Sequence, residues 1–176
     1  MMFYLYSTMK TGDLIYRPLT EDEWGDVSAI YQQGISSGNA TFETGIPSWQ
    51  QWDNAHLQHG RIVAILQDEI AGWAALSPVS GRCVYGGVAE VSVYVANTHE
   101  GKSVGSNLLA QLVKISEQNG IWTLQSGIFP ENKGSIRIHE KNGFRTIGYR
   151  EKIGKMNDVW RDILLMERRS KIAGLR

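Results

Sequence analysis

The sequence predicts an α/β domain, a mixed twisted sheet of about seven strands with helices on both faces. Three observations predict it. Residues 88–95 read VAEVSVYV, a strongly β-prone run. Residues 101–119 then carry Val104, Leu108, Leu112 and Ile115 on one helical stripe, with Gly120 placed as a C-terminal cap. Across the chain, strand and helix patterns alternate as β-α-α-β-β-β-α-β-α-β-β, the order of a layered α/β fold.

The elements follow in order. Leu14 to Pro18 is the first strand, preceded by an N-terminal extension, residues 1–12. Its start, Met1 to Tyr6, is apolar but short, lacks a basic beginning, and reads neither as a signal peptide nor as a membrane span. Thr20 opens a helix, with Glu23 completing a capping box. Trp24, Val27, Ile30 and Tyr31 line one face of that helix, and Gly34 is its expected stop. Residues 36–46 form a polar loop around Phe42, and Ser48 with Gln51 caps a short helix reaching about residue 58. Residues 61–67 and 69–77 are a hairpin turning at Asp68, and 79–87 is a loop. In the strand 88–95, Glu90, Ser92 and Tyr94 face one way and Val91, Val93 and Val95 the other. Residues 121–129 form a strand ended by Pro130, and 133–142 a short helix stopped by Gly143. Residues 144–151 and 159–168 form a final hairpin, with Trp160 expected to stabilise it and the six tryptophans expected mostly in the core.

Composition bounds the function. One domain spanning residues 1–176 suits the length, and such a chain buries roughly 70% of its unfolded surface without staples. Eighteen basic and eighteen acidic side chains cancel, which argues against a dedicated nucleic-acid or anionic-membrane binder. A single cysteine, Cys83, excludes an internal disulfide framework and a Cys-rich zinc site. His56 and His59 are expected on a solvated helix face, so no metal is expected, and the expected compartment is the cytoplasm.

The chemistry concentrates at the turn His99-Glu100-Gly101-Lys102-Ser103-Val104-Gly105 between strand and long helix. A helix start presents unpaired N–H groups and partial positive charge. Gly101, Ser103 and Gly105 let an anion approach the backbone, and Lys102 adds a cation, so a pyrophosphate cradle is the simplest reading. The pattern is neither a Walker A loop nor GxGxxG.

The segments IYQQGI, ATFET, AEVSVYV, GKSVGSNLL, PENKGSIRIHEKNGF and GYREKIGKMNDVWRDILLMER together resemble the GNAT superfamily of acyl-coenzyme A-dependent N-acetyltransferases, over residues 14–168. Within it they resemble the phosphinothricin N-acetyltransferase branch. The resemblance implies the GNAT acyltransferase fold, acetyl-CoA as co-substrate, and a small-molecule amine as acceptor. The acceptor would be an amino-acid analogue such as phosphinothricin or methionine sulfone or sulfoximine. A homodimer is also implied. In the loop, Glu100 stands where the family has a basic or neutral polar residue, and Ser103 where it has glycine. Coenzyme A binding is expected to persist through the backbone amides.

Acetyl transfer needs a deprotonated amine, a polarised thioester carbonyl and a proton for the leaving thiolate. Glu90 is the candidate base: a carboxylate in an apolar strand, whose burial would raise its pKa, and which the resemblance also assigns to amine deprotonation. Pairing with Arg82 or another cation is the structural alternative. His139 shares a helix face with Ser135 and is a candidate for protonating the thiolate or helping take the amine proton, with packing as the alternative. The resemblance places the coenzyme A arm on Asn132 and Ser135, with backbone groups from Val93, Tyr94 and Val95 pairing the pantetheine amides. Gly101, Lys102, Ser103, Val104 and Gly105 would hold the diphosphate. Arg82 is the expected partner of an acceptor carboxylate, with Tyr31, Phe42, Tyr85 and Tyr94 as pocket walls. Acetylation of a peptide N-terminus or polyamine, and a non-catalytic acyl-CoA-binding module, remain open alternatives.

Overall fold

The structure is a computed structural model and describes residues 9–11 and 13–175. Eight strands form one sheet in the order β1-β2-β3-β4-β5-β6-β8-β7. They are β1 (Met9–Thr11), β2 (Leu14–Pro18), β3 (Ile62–Leu66), β4 (Glu69–Pro78), β5 (Val88–Val95), β6 (Thr123–Ile128), β7 (Arg145–Met156) and β8 (Val159–Arg169). The helices are α1 (Trp24–Ser36), α2 (Trp49–Ala55), α3 (Val104–Gln118) and α4 (Lys133–Lys141). The count exceeds the expected seven because residues 9–11, expected as part of an extension, pair antiparallel with β2. The remainder of that expected extension lies outside the described residues.

Local chemistry explains most boundaries. The capping box of α2 forms, with Gln51 N–H donating to Ser48 Oγ (3.3 Å) and Ser48 N–H to Gln51 Oε1 (2.9 Å), although α2 ends at Ala55 rather than near 58. Both hairpins turn on two residues with left-handed backbone, Gln67–Asp68 and Asn157–Asp158, so the first turn is one residue longer than expected. Helix α1 runs past Gly34 to Ser36. Gly34 is small for a different reason: a Cβ there would lie 2.7 Å from the Tyr94 ring.

Helices cover both faces. Leu108, Leu109, Leu112 and Ile115 of α3 bury against Ile62, Leu76, Leu124 and Met166. Each such side chain contributes about 1.5–3 kcal/mol by leaving water. On the opposite face Val27 and Ile30 of α1 and Trp52 of α2 pack on Trp73 and Ala75. Half-buried His56 stacks on Trp52 with centroids 4.2 Å apart, and Arg61 is buried beside them, its Nη2 donating to Asp53 and His56 carbonyls. The expected solvated helix face for the two histidines is thus corrected: both are half-buried past the end of α2, and His56 is covered by Trp52. Trp160 also departs from expectation: it is exposed on β8.

Strand β5 pairs antiparallel with β4 along its length but parallel with β6 only through Val88, Ala89 and Glu90. Beyond Glu90 the two strands diverge. This split at the middle of the sheet makes the space in which the functional residues stand.

Candidate active site

Two adjoining spaces open where β5 leaves β6. A groove of about 760 Å³ runs past the N-terminus of α3 and along α4. A smaller cleft of about 200 Å³ lies between the diverging strands and the loop after α1. Ala40, Val93, Tyr94, Asn132 and Ser135 border both.

The groove is built from backbone. Val93, Tyr94 and Val95 leave their β6-side edge unpaired as the strands separate, so their main-chain groups are available to an extended ligand. Gly101 (φ +75°) and Ser103 (φ +62°) both adopt the left-handed conformation before α3, turning successive amides toward the groove. Gly105 keeps the first turn close, since a Cβ there would lie 3.2 Å from Val95 and 3.4 Å from Ile138. Ser103 therefore stands where its backbone favours glycine, at a cost of about 1 kcal/mol. Gly101, Ser103, Val104 and Gly105 all line the groove, and their amides fit a diphosphate. Lys102 is exposed and lies outside the lining, which corrects its expected place: the turn points it to solvent. Glu100 does line the groove.

Asn132 closes the junction. Its Oδ1 accepts from Ser135 N–H at 3.0 Å, capping α4, and its Nδ2 donates to the Asn39 carbonyl at 3.1 Å. Both ends of the amide are thus committed to holding α4 against the loop after α1.

In the cleft, Glu90 is exposed rather than buried, because the divergence of β5 and β6 uncovers it. Its Oε2 accepts from Gln125 Nε2 at 3.1 Å, a neutral partner and not the cation of the structural alternative. His139 is 3% exposed and stands edge-on to Phe144. Its Nδ1 lies 2.8 Å from the Ser135 carbonyl, so Nδ1 carries the proton and Nε2 keeps a lone pair. Nε2 is buried with no hydrogen-bond partner among the described residues. Burial holds the imidazole below its ordinary pKa, offset in part by the Ser135 carbonyl. A neutral ring with a free Nε2 lone pair accepts protons, which favours help to the base over protonation of a thiolate.

The other expected pocket walls divide. Phe42 lines the cleft, edge-on to Phe129 at 4.8 Å, and Tyr94 lines both spaces. Tyr31 does not line either. It packs edge-on to Trp73 and Tyr94, and burial, followed by Glu43, raises its pKa. Arg82 and Tyr85 also stand outside, on the exposed loop before β5, with the guanidinium 5.7 Å from the Tyr85 ring centre. Among the described residues, Glu90 is the one charged side chain lining the cleft, accompanied by hydroxyls of Thr41, Ser92 and Ser126.

Sequence reasoning missed the strap that holds the cleft's lid. Arg161 of β8 donates to the Gly38 carbonyl (2.9 Å) and Asn39 Oδ1 (3.0 Å), and its guanidinium lies 4.1 Å from the Phe129 ring centre. Gly154 of β7 lets Phe42 settle, since a Cβ there would be 2.7 Å from that ring. The contacts of Arg161 with Gly38 and Asn39 and of Gly154 with Phe42 join residues more than a hundred positions apart, so local spacing carried no signal for them.

A family model described as Acetyltransferase (GNAT) family matches residues 24–144. A Bacillus subtilis protein, YwnH, whose name proposes phosphinothricin acetyltransferase activity, is 32% identical over 81% of this chain and 90% of its own. The L-methionine sulfoximine/L-methionine sulfone acetyltransferase of Pseudomonas paraeruginosa is 26% identical over 80% of this chain and 86% of its own. Among solved structures, a Sinorhizobium meliloti phosphinothricin acetyltransferase in complex with AcCoA superposes with a TM-score of 0.83 at 23% identity, covering 93% of this chain and 92% of its own.

Proposed function

The chain belongs to the acetyltransferase (GNAT) family, and on that premise we propose that it moves an acetyl group from acetyl-CoA to the α-amine of a small amino acid or analogue, of the phosphinothricin or methionine sulfone and sulfoximine type. The observation that carries this reading is the junction of groove and cleft between Glu90, Asn132 and His139. In this reading a thioester in one space would lie beside an amine in the other. The relatives' names supply the acceptor class.

In this reading the amides at 101–105 take the diphosphate, and the free edge of β5 pairs the pantetheine arm. Glu90 draws a proton from the acceptor ammonium, directly or through water, aided by the Nε2 lone pair of His139. The amine then attacks the thioester carbonyl, its nitrogen gives up a second proton to solvent, the C–S bond breaks as the C–N bond is completed, and the thiolate takes up a proton from solvent. No residue forms a covalent intermediate, and Cys83, exposed on the loop before β5, takes no part. The protein would act in the cytoplasm. A homodimer belongs to the same reading, supported by the apolar side chains exposed on the β7–β8 hairpin, including Ile147, Ile153 and Trp160. Light scattering tests it. No helix among the described residues is long and apolar enough to cross a membrane.

A second reading is favoured by the lack, among the described residues, of any Lys or Arg lining the cleft. A cleft whose charge is Glu90 suits an acceptor without a carboxylate, such as a polyamine or a peptide N-terminus. Incubation with acetyl-CoA and a panel of amines, with thiol release followed, separates the two. Turnover with phosphinothricin or methionine sulfone supports the first; turnover confined to polyamines or peptides supports the second. Tight donor binding without turnover would leave a binding module.

A further inference from the structure

Helix α4 carries three cations whose one side-chain hydrogen bond among the described residues runs from Arg137 Nε to the Lys133 carbonyl at 3.4 Å. Lys133, Arg137 and Lys141 stand four residues apart, so they form one stripe along the helix. All three are exposed, and all three line the groove. None takes part in an ion pair among the described residues. Like charges at this spacing repel, and Lys133 sits at the helix start, where the dipole disfavours a cation. The nearby Glu131 is directed to Arg161 at 3.4 Å. The stripe therefore works against the isolated helix, as an anion seat does when empty of charge.

Its position is fixed against the phosphate loop. Asn142, just past α4, donates from Nδ2 to the Ser106 carbonyl at 3.2 Å, and Ile138 reaches to within 3.4 Å of a Cβ built on Gly105. The stripe thus flanks the first turn of α3, and the groove offers two separate anion seats: backbone amides at 101–105 and side-chain cations on α4. An acyl donor with two separate phosphate groups matches both. We propose that Lys133, Arg137 and Lys141 form a second phosphate seat, taking the 3′-phosphate at the adenosine end of coenzyme A while the diphosphate stays at α3. The seat also explains how the groove tolerates Glu100 beside the diphosphate, since the cations on α4 offset that carboxylate. The inference rests on the groove being the donor site.

The test is calorimetric binding of coenzyme A and of 3′-dephospho-coenzyme A, which differ by that phosphate alone. The wild-type protein is expected to favour coenzyme A by about tenfold or more, the scale of a few charge-assisted contacts. Its affinity for coenzyme A should also fall more steeply with salt. In the Lys133→Gln/Arg137→Gln/Lys141→Gln variant the preference should shrink to about twofold, with dephospho-coenzyme A binding nearly unchanged. Arg137→Gln alone gives a partial loss of preference, should the triple variant fail to fold. Equal wild-type affinity for the two nucleotides overturns the second seat and leaves the donor reading intact. A variant weakened equally toward both overturns it too, placing the cations on the diphosphate instead. Absence of binding by either nucleotide to the wild type removes the donor reading and this inference together.

Discussion

The donor groove and the acceptor cleft share a border but are specified in different ways. The groove rests largely on main chain from one stretch, β5 through the first turn of α3, with α4 and the end of α1 closing it. The cleft gathers its walls from the loop after α1, β5, β6, α4 and β8, and side-chain contacts of long sequence separation hold them. Backbone amides are indifferent to which side chains surround them, so Glu100 and Ser103 can replace a favoured residue without removing the seat. Side-chain clamps have no such tolerance. On the proposed function, the difference implies that donor recognition tolerates sequence change, while acceptor choice is set by a few distant contacts.

The sharpest break of this comparison is Glu90→Gln. It should lower kcat by about 10²-fold or more with little change in donor affinity, since a positioned general base contributes 10²–10⁴-fold. Steady-state kinetics with calorimetry of donor binding checks both halves. Next comes His139→Asn, which keeps a donor for the Ser135 carbonyl and loses the buried lone pair. We expect kcat to fall about tenfold, below the range of a sole base because Glu90 remains. Burial lowers the His139 pKa, so the neutral, active ring persists as pH drops through its ordinary value near about 6.5. The acid limb due to His139 should therefore lie below that value and vanish in the variant; a limb above it would contradict the lowering by burial.

Arg161→Met tests the strap. Freed from Gly38 and Asn39, the lid should raise the acceptor KM about tenfold, a loss comparable to one or two hydrogen bonds to a charged group. Donor affinity should stay within about twofold, and Arg161→Lys should restore part of the acceptor KM. Equal losses on both substrates would erase the distinction between the two regions. The smallest effect is Ser103→Gly, which relieves the left-handed backbone and should raise stability by up to about 1 kcal/mol, as denaturant unfolding would show.

The same division explains what the sequence revealed. Strand β5 was readable to the residue, because VAEVSVYV alternates and faces two different environments. The α3 turn was readable because glycines and a helix start are adjacent in sequence. Of the expected site residues, Glu90 and His139 line the cleft and Asn132 lines both spaces. Glu90's exposure was not readable, because it follows from where β5 and β6 part, and pairing register is a tertiary property. Arg82 looked like an acceptor anchor by proximity to β5, yet it stands exposed and outside the cleft lining. Arg161 and Gly154 gave no local signal, since their partners lie at 38, 39 and 42.

The central claim is that acetyl passes directly from donor to amine at the shared border, without resting on the protein. Rapid mixing with acetyl-CoA, following thiol release with and without methionine sulfone or phosphinothricin, measures this directly. The account predicts no stoichiometric thiol burst from donor alone and sustained release once the acceptor is added. A burst equal to the protein concentration in the absence of acceptor, or silence with every amine offered, would contradict it.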